Sequence, residues 1–362
     1  MSEKRTCPVC GAVADAPAGP RCESCGFPFA FVTAFSSPES LAFWREQVER
    51  NAMPPLLLIQ ARLADRLFVG PNTVGICLED ACYTVDGVYG TTLRETEVTQ
   101  MSVGVHHTVK LLRGGKLTAQ GKNDFSQCDV EMIHDAVQVI AADDCTFALR
   151  QGGTVVQVGG IVANDANSIQ TVRLSILPEM RDVIRISSDG TSLIGLTSDG
   201  RILVWFPSFL DRFAYVADLS TQVSEVRAAK GVAAGPGLHI LVLLEDGTVR
   251  HFGDGADKRC AVSGWTNVSS VAVDSVYSVG LTMDGHILLA GETWSRVLDA
   301  GRSQAASWEN VAAITCGRGM IAAVTADGRL CLAGNIPRRQ ELLDAWERDV
   351  RPAVIRAIRG QS

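Results

Sequence analysis

Aromatic side chains are scarce in this chain of 362 residues, at 6 % of the total, while glycine is abundant at 34. Few rings and many glycines suit a turn-rich β protein. Long hydrophobic runs are missing: none approaches the about 20 residues that a membrane-spanning helix needs. No signal-peptide apolar region follows the opening Met-Ser-Glu-Lys-Arg-Thr-Cys, so export is not expected. An excess of positive charge is missing too. The formal net charge is −7, which leaves no global basic field to hold a nucleic-acid backbone or an anionic membrane. No nucleophile elbow, His-Glu-x-x-His or Walker-type loop is present, and no small-molecule site is evident. A disulfide framework is not expected either. Of eleven cysteines, four form one motif and an odd, irregular seven remain, which argues for a reducing compartment and a cytoplasmic protein. The length admits two average domains or one closed β domain with a small appendage.

The four-cysteine motif lies near the N-terminus. Cys7-Pro8-Val9-Cys10-Gly11 and Cys22-Glu23-Ser24-Cys25-Gly26 are two CxxC pairs. Two residues between cysteines let one tight turn present two thiolates to the same ion, at about 2.3 Å per zinc–sulfur bond. The glycine after each pair permits the positive φ of such a knuckle. The segment is similar to small zinc-ribbon modules, so one structural Zn2+ on Cys7, Cys10, Cys22 and Cys25 is expected. Iron in a rubredoxin-like site and a redox dithiol pair are the alternatives. Four thiolates leave no open coordination position, which argues against catalytic zinc. Lys4, Arg5 and Arg21 are cancelled by Glu3, Asp15 and Glu23, so the ribbon has no basic stripe for phosphates. Residues 1–34 form this expected ribbon and residues 35–59 a linker. In the linker Ser36-Ser37-Pro38-Glu39 starts a short amphipathic helix with Leu41, Trp44 and Val48 on one side.

The rest of the chain, residues 60–362, is periodic. A slot residue, an apolar stretch and a glycine eight positions later recur as His107/Gly115, Cys145/Gly153, Ser192/Gly200, His239/Gly247, Tyr277/Gly285 and Met320/Gly328. Four of the glycines follow aspartate, and Asp-Gly between apolar runs is a strong hairpin signal. Before each hairpin stands an apolar pair three residues apart: Val98/Met101, Val137/Ile140, Val183/Ile186, Val223/Val226, Val268/Val271 and Val311/Ile314. A seventh pair, Ile355/Ile358, ends the series without a hairpin. One unit of inner strand, hairpin and outer strand has exposed edges and cannot bury its faces alone, so neighbours must stack around an axis. The expectation is an all-β, seven-bladed propeller. A strand near 353–359 is expected to complete a blade begun by residues 67–97, pairing the two chain ends.

Gly121 through Cys128 with Val130, Gly253 through Cys260 with Val262 and Trp265-Thr266-Asn267-Val268, and Trp308-Glu309-Asn310-Val311 resemble the repeat of the regulator-of-chromosome-condensation family of seven-bladed propellers. The resemblance spans roughly residues 60–362 in degenerate copies. It implies the propeller fold and admits several roles, since fold does not carry function. Only His107 and His239 keep the histidine that the family favours in the slot. Cysteine, serine, tyrosine and methionine fill it elsewhere, so the slot reads as packing or channel lining rather than as a shared ligand.

Departures from a repeat are where specific function sits. Trp205 through Tyr215 replaces a polar outer turn with five aromatics. Trp205, Phe206, Phe209, Arg212 and Phe213 form either a partner-binding hot spot or the filling between blades. The polar stretch from Gly160 to Gln170 reads as a solvated loop. The expected function is a non-enzymatic scaffold for a protein partner, with the ribbon as a second contact. A nucleotide-exchange regulator of a small GTPase and a nucleic-acid-associated factor using the ribbon are the alternatives.

Overall fold

The structure, a computed structural model, describes residues 4–6, 13–15, 56–165, 168–171, 174–207, 214–253, 258–291, 301–317, 319–334 and 336–360. Within them the chain builds seven antiparallel sheets of three or four strands in chain order. The first holds Leu67–Gly70, Thr73–Cys77, Cys82–Asp86 and Thr91–Glu95, and the second Val98–Val103, His107–Leu112 and Leu117–Gly121. The third holds Ala136–Ala141, Cys145–Arg150, Val155–Gly159 and Ser175–Leu177, and the fourth Val183–Ser188, Leu193–Thr197 and Ile202–Trp205. The fifth holds Ala229–Gly235, His239–Leu244 and Val249–Phe252, and the sixth Val268–Val273, Ser278–Thr282 and Ile287–Ala290. The seventh holds Val311–Gly317, Met320–Thr325 and Leu330–Gly334. The first strand of each sheet lies beside the first strand of the next, and that of the seventh returns to that of the first. This is the ring order of a propeller.

The apolar pairs three residues apart have a physical origin. A regular strand alternates faces, so residues three apart point opposite ways. In sheets two to seven the first strand carries a register shift just after its first residue, as between Val98 and Gln100 or between Val183 and Arg185. The bulge returns the first and fourth residues to one core, which buries Val98 with Met101 and Val183 with Ile186. Three expected pairs are corrected by the structure. In sheet three the buried pair is Ala136 and Val139, which leaves Val137 51 % exposed. In sheet five it is Ala229 and Val232. Val223 and Val226 lie before that sheet, at and just beyond the end of a helix, and are fully buried against the cores of sheets four and five.

Helices close the fold where the sequence suggested a strand. Helix α1 (Leu56–Leu63) precedes sheet one and crosses the expected boundary at residue 60; α2 (Ala214–Ser224) follows sheet four. After sheet seven come α3 (Arg339–Ala345), a π-helical turn (Trp346–Val350) and α4 (Arg351–Arg359). Ile355 and Ile358 therefore sit on a helix, because a spacing of three also marks one helical face. Pro352 in its first turn and left-handed Gly360 at its end frame α4. The first sheet supplies its own four strands, so no C-terminal strand completes it among the described residues. The two ends meet through one core instead, in which Ile59 and Leu63 of α1 and Val354 and Ile358 of α4 join sheets one and seven.

The turn glycines do two things. At Gly200, Gly247, Gly285 and Gly328 φ lies between 76° and 85°, a region costly for other residues. Their carbonyls also latch one sheet to the next. Gly115, Gly153, Gly200, Gly247 and Gly285 accept the N–H of Ala136, Val183, Ala229, Val268 and Val311 at 2.9–3.0 Å. A Cβ on Gly200 would stand 3.1 Å from the Ala228 backbone, so close approach demands glycine as firmly as dihedral angle does.

Further corrections concern cysteines and a loop. Cys77 and Cys82, directly opposite each other on the second and third strands of sheet one, form a disulfide, so not all seven outer cysteines are thiols. The stretch read as a solvated loop contains paired strands Ile161–Asp165 and Ser168–Thr171. At the N-terminus Lys4–Thr6 pairs antiparallel with Val13–Asp15. No helix among the described residues is long and apolar enough to cross a membrane.

Candidate functional site

Cys7, Cys10, Cys22, Cys25 and the expected linker helix lie outside the described residues, as do Phe209, Arg212 and Phe213. Trp205 and Phe206 are described and half-buried. Trp205 meets Phe147 edge-on, with centroids 5.6 Å apart, and packs on the core of sheets three and four. Phe206 packs on the core of sheets four and five. The two rings therefore diverge into different cores.

The starts of the first strands and the hairpin turns share one face of the ring, and the helices cover part of it. Gln60 of α1 donates from Nε2 to the Thr282 and Val311 carbonyls at 2.9 and 3.2 Å. Beyond α1, Asp65 takes a two-pronged ion pair from Arg185 of sheet four, one contact being 3.1 Å. Trp346 and α4 cover the turn at Gly328. The residue at the bulge shows the result. Lys230, Ser269 and Ala312 are buried in sheets five to seven, whereas Thr99, Val137 and Ile184 are exposed in sheets two to four. Val137 and Ile184, 51 % and 46 % exposed, stand on neighbouring first strands. Those strands are stitched by Gln138, whose amide both donates to the Ile186 carbonyl and accepts its N–H. The result is a ledge of two adjacent strands, each with one exposed apolar side chain.

The opposite face carries the slots. All six slot residues are buried, as the packing interpretation requires. The two histidines do more than pack. His107 Nε2 lies 2.8 Å from Thr146 Oγ1 in the next sheet, and Thr146 donates to the Gln127 carbonyl at 2.8 Å. His239, Ser278 and Arg259 repeat the arrangement at 2.7 and 2.8 Å with identical spacings. Each histidine thus clamps one sheet to the following one. Burial, with His106 adding, lowers the pKa of His107 to about 4, so it is neutral near pH 7. Burial likewise pushes the Cys145 thiol up to about 12 and that of Cys316 well above its ordinary value. Such thiols are poor nucleophiles. Lys230 is lowered to about 8, again mainly by burial.

Sequence reasoning missed one grouping, His239 with His251 and Cys260. Its signal was present: Cys128 and Cys260 share a repeat register, while His251 stands where sheet two has Ala119.

No protein-family model matches the chain, and no curated protein matches it in sequence. Solved structures do match in fold. Prp20p of Saccharomyces cerevisiae, described with its binding to Gsp1p and histones, is 16 % identical with a TM-score of 0.51, over 66 % of this chain and 72 % of that one. The ectodomain of the Arabidopsis thaliana receptor kinase ACR4 is 15 % identical with a TM-score of 0.55, over 75 % and 94 % of the two chains. The ectodomain of receptor kinase CR4 from Physcomitrella patens is 17 % identical with a TM-score of 0.51, over 75 % and 72 %. Seven sheets in ring order, together with these likenesses, give the chain a propeller fold similar to that of yeast RCC1 (Prp20).

Proposed function

We propose that the protein is a non-enzymatic interaction module in which the propeller presents a docking surface to a protein partner. The observation that carries this reading is the ledge of Val137 and Ile184. Apolar side chains half-exposed on adjacent strands joined by Gln138, on a face that the helices cover in part, form a preorganised contact. Suppressed thiols and buried, clamped histidines support the absence of catalysis. The binding of Prp20p to Gsp1p and histones supports a protein partner for a propeller of this kind.

The N-terminal segment is a zinc ribbon in this reading. One structural Zn2+ sits on Cys7, Cys10, Cys22 and Cys25, and the hairpin of Lys4–Thr6 with Val13–Asp15 flanks the first CxxC pair, as a knuckle requires. The ribbon and the stretch with Phe209, Arg212 and Phe213 are further contacts.

Co-purification with the full-length chain tests the proposal. Val137→Asp with Ile184→Asp should abolish capture of the partner while the melting temperature stays within a few degrees. Deleting residues 1–34, or making Phe209→Ala with Phe213→Ala, should weaken it. Capture unchanged by all three variants overturns the reading. Faster nucleotide release from a co-purified GTPase would instead support an exchange factor.

A further inference from the structure

Beside the clamp residue His239, sheet five carries two side chains that the clamp and the docking surface leave unexplained, His251 and Cys260. His239 begins the second strand and is buried, His251 lies on the third strand, and Cys260 ends the 3-10 turn Lys258–Cys260. Their potential ligand atoms all lie within 4.8 Å of one another. Cys260 Sγ is 2.9 Å from His251 Nε2, and the two imidazoles are tilted by 31° with centroids 4.7 Å apart. His251 and Cys260 are half-buried, so solvent reaches the group.

The hydrogen bonds around His239 fix its tautomer. Ser278 Oγ has one proton and donates it to the Arg259 carbonyl. The 2.7 Å contact between Ser278 and His239 Nε2 is therefore an imidazole N–H donating to a hydroxyl oxygen. The His239 proton is on Nε2, and Nδ1 carries the lone pair. A hydrogen bond from the far ring nitrogen is how proteins orient a metal-ligating histidine. Sheet two is an internal comparison. It has the same clamp, through His107, Thr146 and Gln127, and Cys128 in the register of Cys260, but Ala119 in place of His251. Joining the sheets therefore needs no third ligand. Sheet five has one.

The geometry points to a binding site for a zinc-class divalent transition metal on His239, His251 and Cys260, with a fourth position open to water or a ligand. Two imidazoles and a thiolate are borderline-soft donors that suit Zn2+ and discriminate against Mg2+ and Ca2+. Tetrahedral zinc, with bonds of about 2.0–2.3 Å, places its ligand atoms roughly 3.3–3.6 Å apart. The 2.9 Å thiol contact and the 4.8 Å limit bracket that separation, so small side-chain movements complete the site. The ion replaces the thiol proton of Cys260. A sulfur–hydrogen bond breaks, a sulfur–metal bond forms, both imidazoles bind as neutral bases, and one proton is released per ion.

The test uses the full-length chain with Cys7, Cys10, Cys22 and Cys25 all changed to serine, which removes the N-terminal site and separates the two metal questions. Titration with Co2+ should give one equivalent bound, a thiolate-to-cobalt charge-transfer band and the intense visible bands of four-coordinate cobalt, all lost on adding Zn2+. One proton should be released per ion in weakly buffered solution. In that background His251→Ala and Cys260→Ser should each weaken binding at least tenfold, with the metal-free melting temperature unchanged. His251→Gln serves as a milder variant if either destabilises the chain. Absence of the charge-transfer band in the four-serine chain, or an identical titration after His251→Ala or His251→Gln, overturns the assignment.

Discussion

Trp346 donates its indole N–H to the carbonyl of Gly328 at 3.0 Å. In the five preceding turns the equivalent glycine carbonyl accepts a backbone N–H from the next sheet. Gly328 belongs to sheet seven, and a side chain from the π-helical turn takes the place of the backbone N–H that the next sheet supplies at the other five turns. Trp346 is fully buried. Trp346→Ala should cost roughly 3–5 kcal/mol through lost packing, and Trp346→Phe about 1–2 kcal/mol through an unpaired buried carbonyl. Urea unfolding measures both, and a Trp346→Phe loss near zero would remove the hydrogen bond from the account.

Stability should fall with acid because of His107. Its folded pKa is about 4, against about 6.5 for an exposed histidine. Between these values the unfolded chain holds a proton that the folded chain refuses. The contribution is therefore complete above pH about 6.5, declines as pH falls, and levels off below about 4. The full loss is on the order of 3 kcal/mol. His107→Gln should flatten the difference in urea midpoint between pH 7.5 and pH 4.5. A difference as large as before would absolve His107.

Arg302 and Asp274 form a buried ion pair, with side chains 5 % and 0 % exposed and contacts of 2.7 and 2.8 Å. Asp274→Ala leaves the guanidinium without its counter-charge and should cost roughly 3–5 kcal/mol. Adding Arg302→Met should recover part of that loss, since the stranded charge is then gone. Thermal melts of the single and double variants decide it, and a double variant worse than Asp274→Ala would contradict the prediction.

Truncation after residue 350 removes α4 and exposes the core shared by sheets one and seven, in which Val354 and Ile358 are 0 % and 1 % exposed. The shortened chain should lose cooperative unfolding or melt well below the intact one. A melting temperature within a few degrees of the full-length value would show that the helix is dispensable.

Much of this architecture was legible in the sequence because glycine has few reasons to recur in register. Gly200, Gly247, Gly285 and Gly328 announced their turns through positive φ and close approach. The apolar pairs were less reliable. A bulged strand and a helix both bring residues three apart to one face, so Ile355/Ile358 could not be told from Val311/Ile314 by spacing. Val137 was assigned to a core because its neighbour Ala136, the true partner of Val139, is a weaker hydrophobic signal. The grouping of His239, His251 and Cys260 depends on a hairpin and a 3-10 turn converging on one sheet. Only alignment of the repeats, with His251 set against Ala119, would have singled it out.

The core that joins α1 to α4 makes the order of synthesis matter. Ile59 and Leu63 emerge from the ribosome long before Val354 and Ile358, yet all four belong to one cluster. Sheet one must therefore wait, with part of its apolar surface uncovered, until α4 has been made. Such late, long-range contacts slow folding and lengthen exposure to misassembly. A chain stopped before α4 leaves that shared core open.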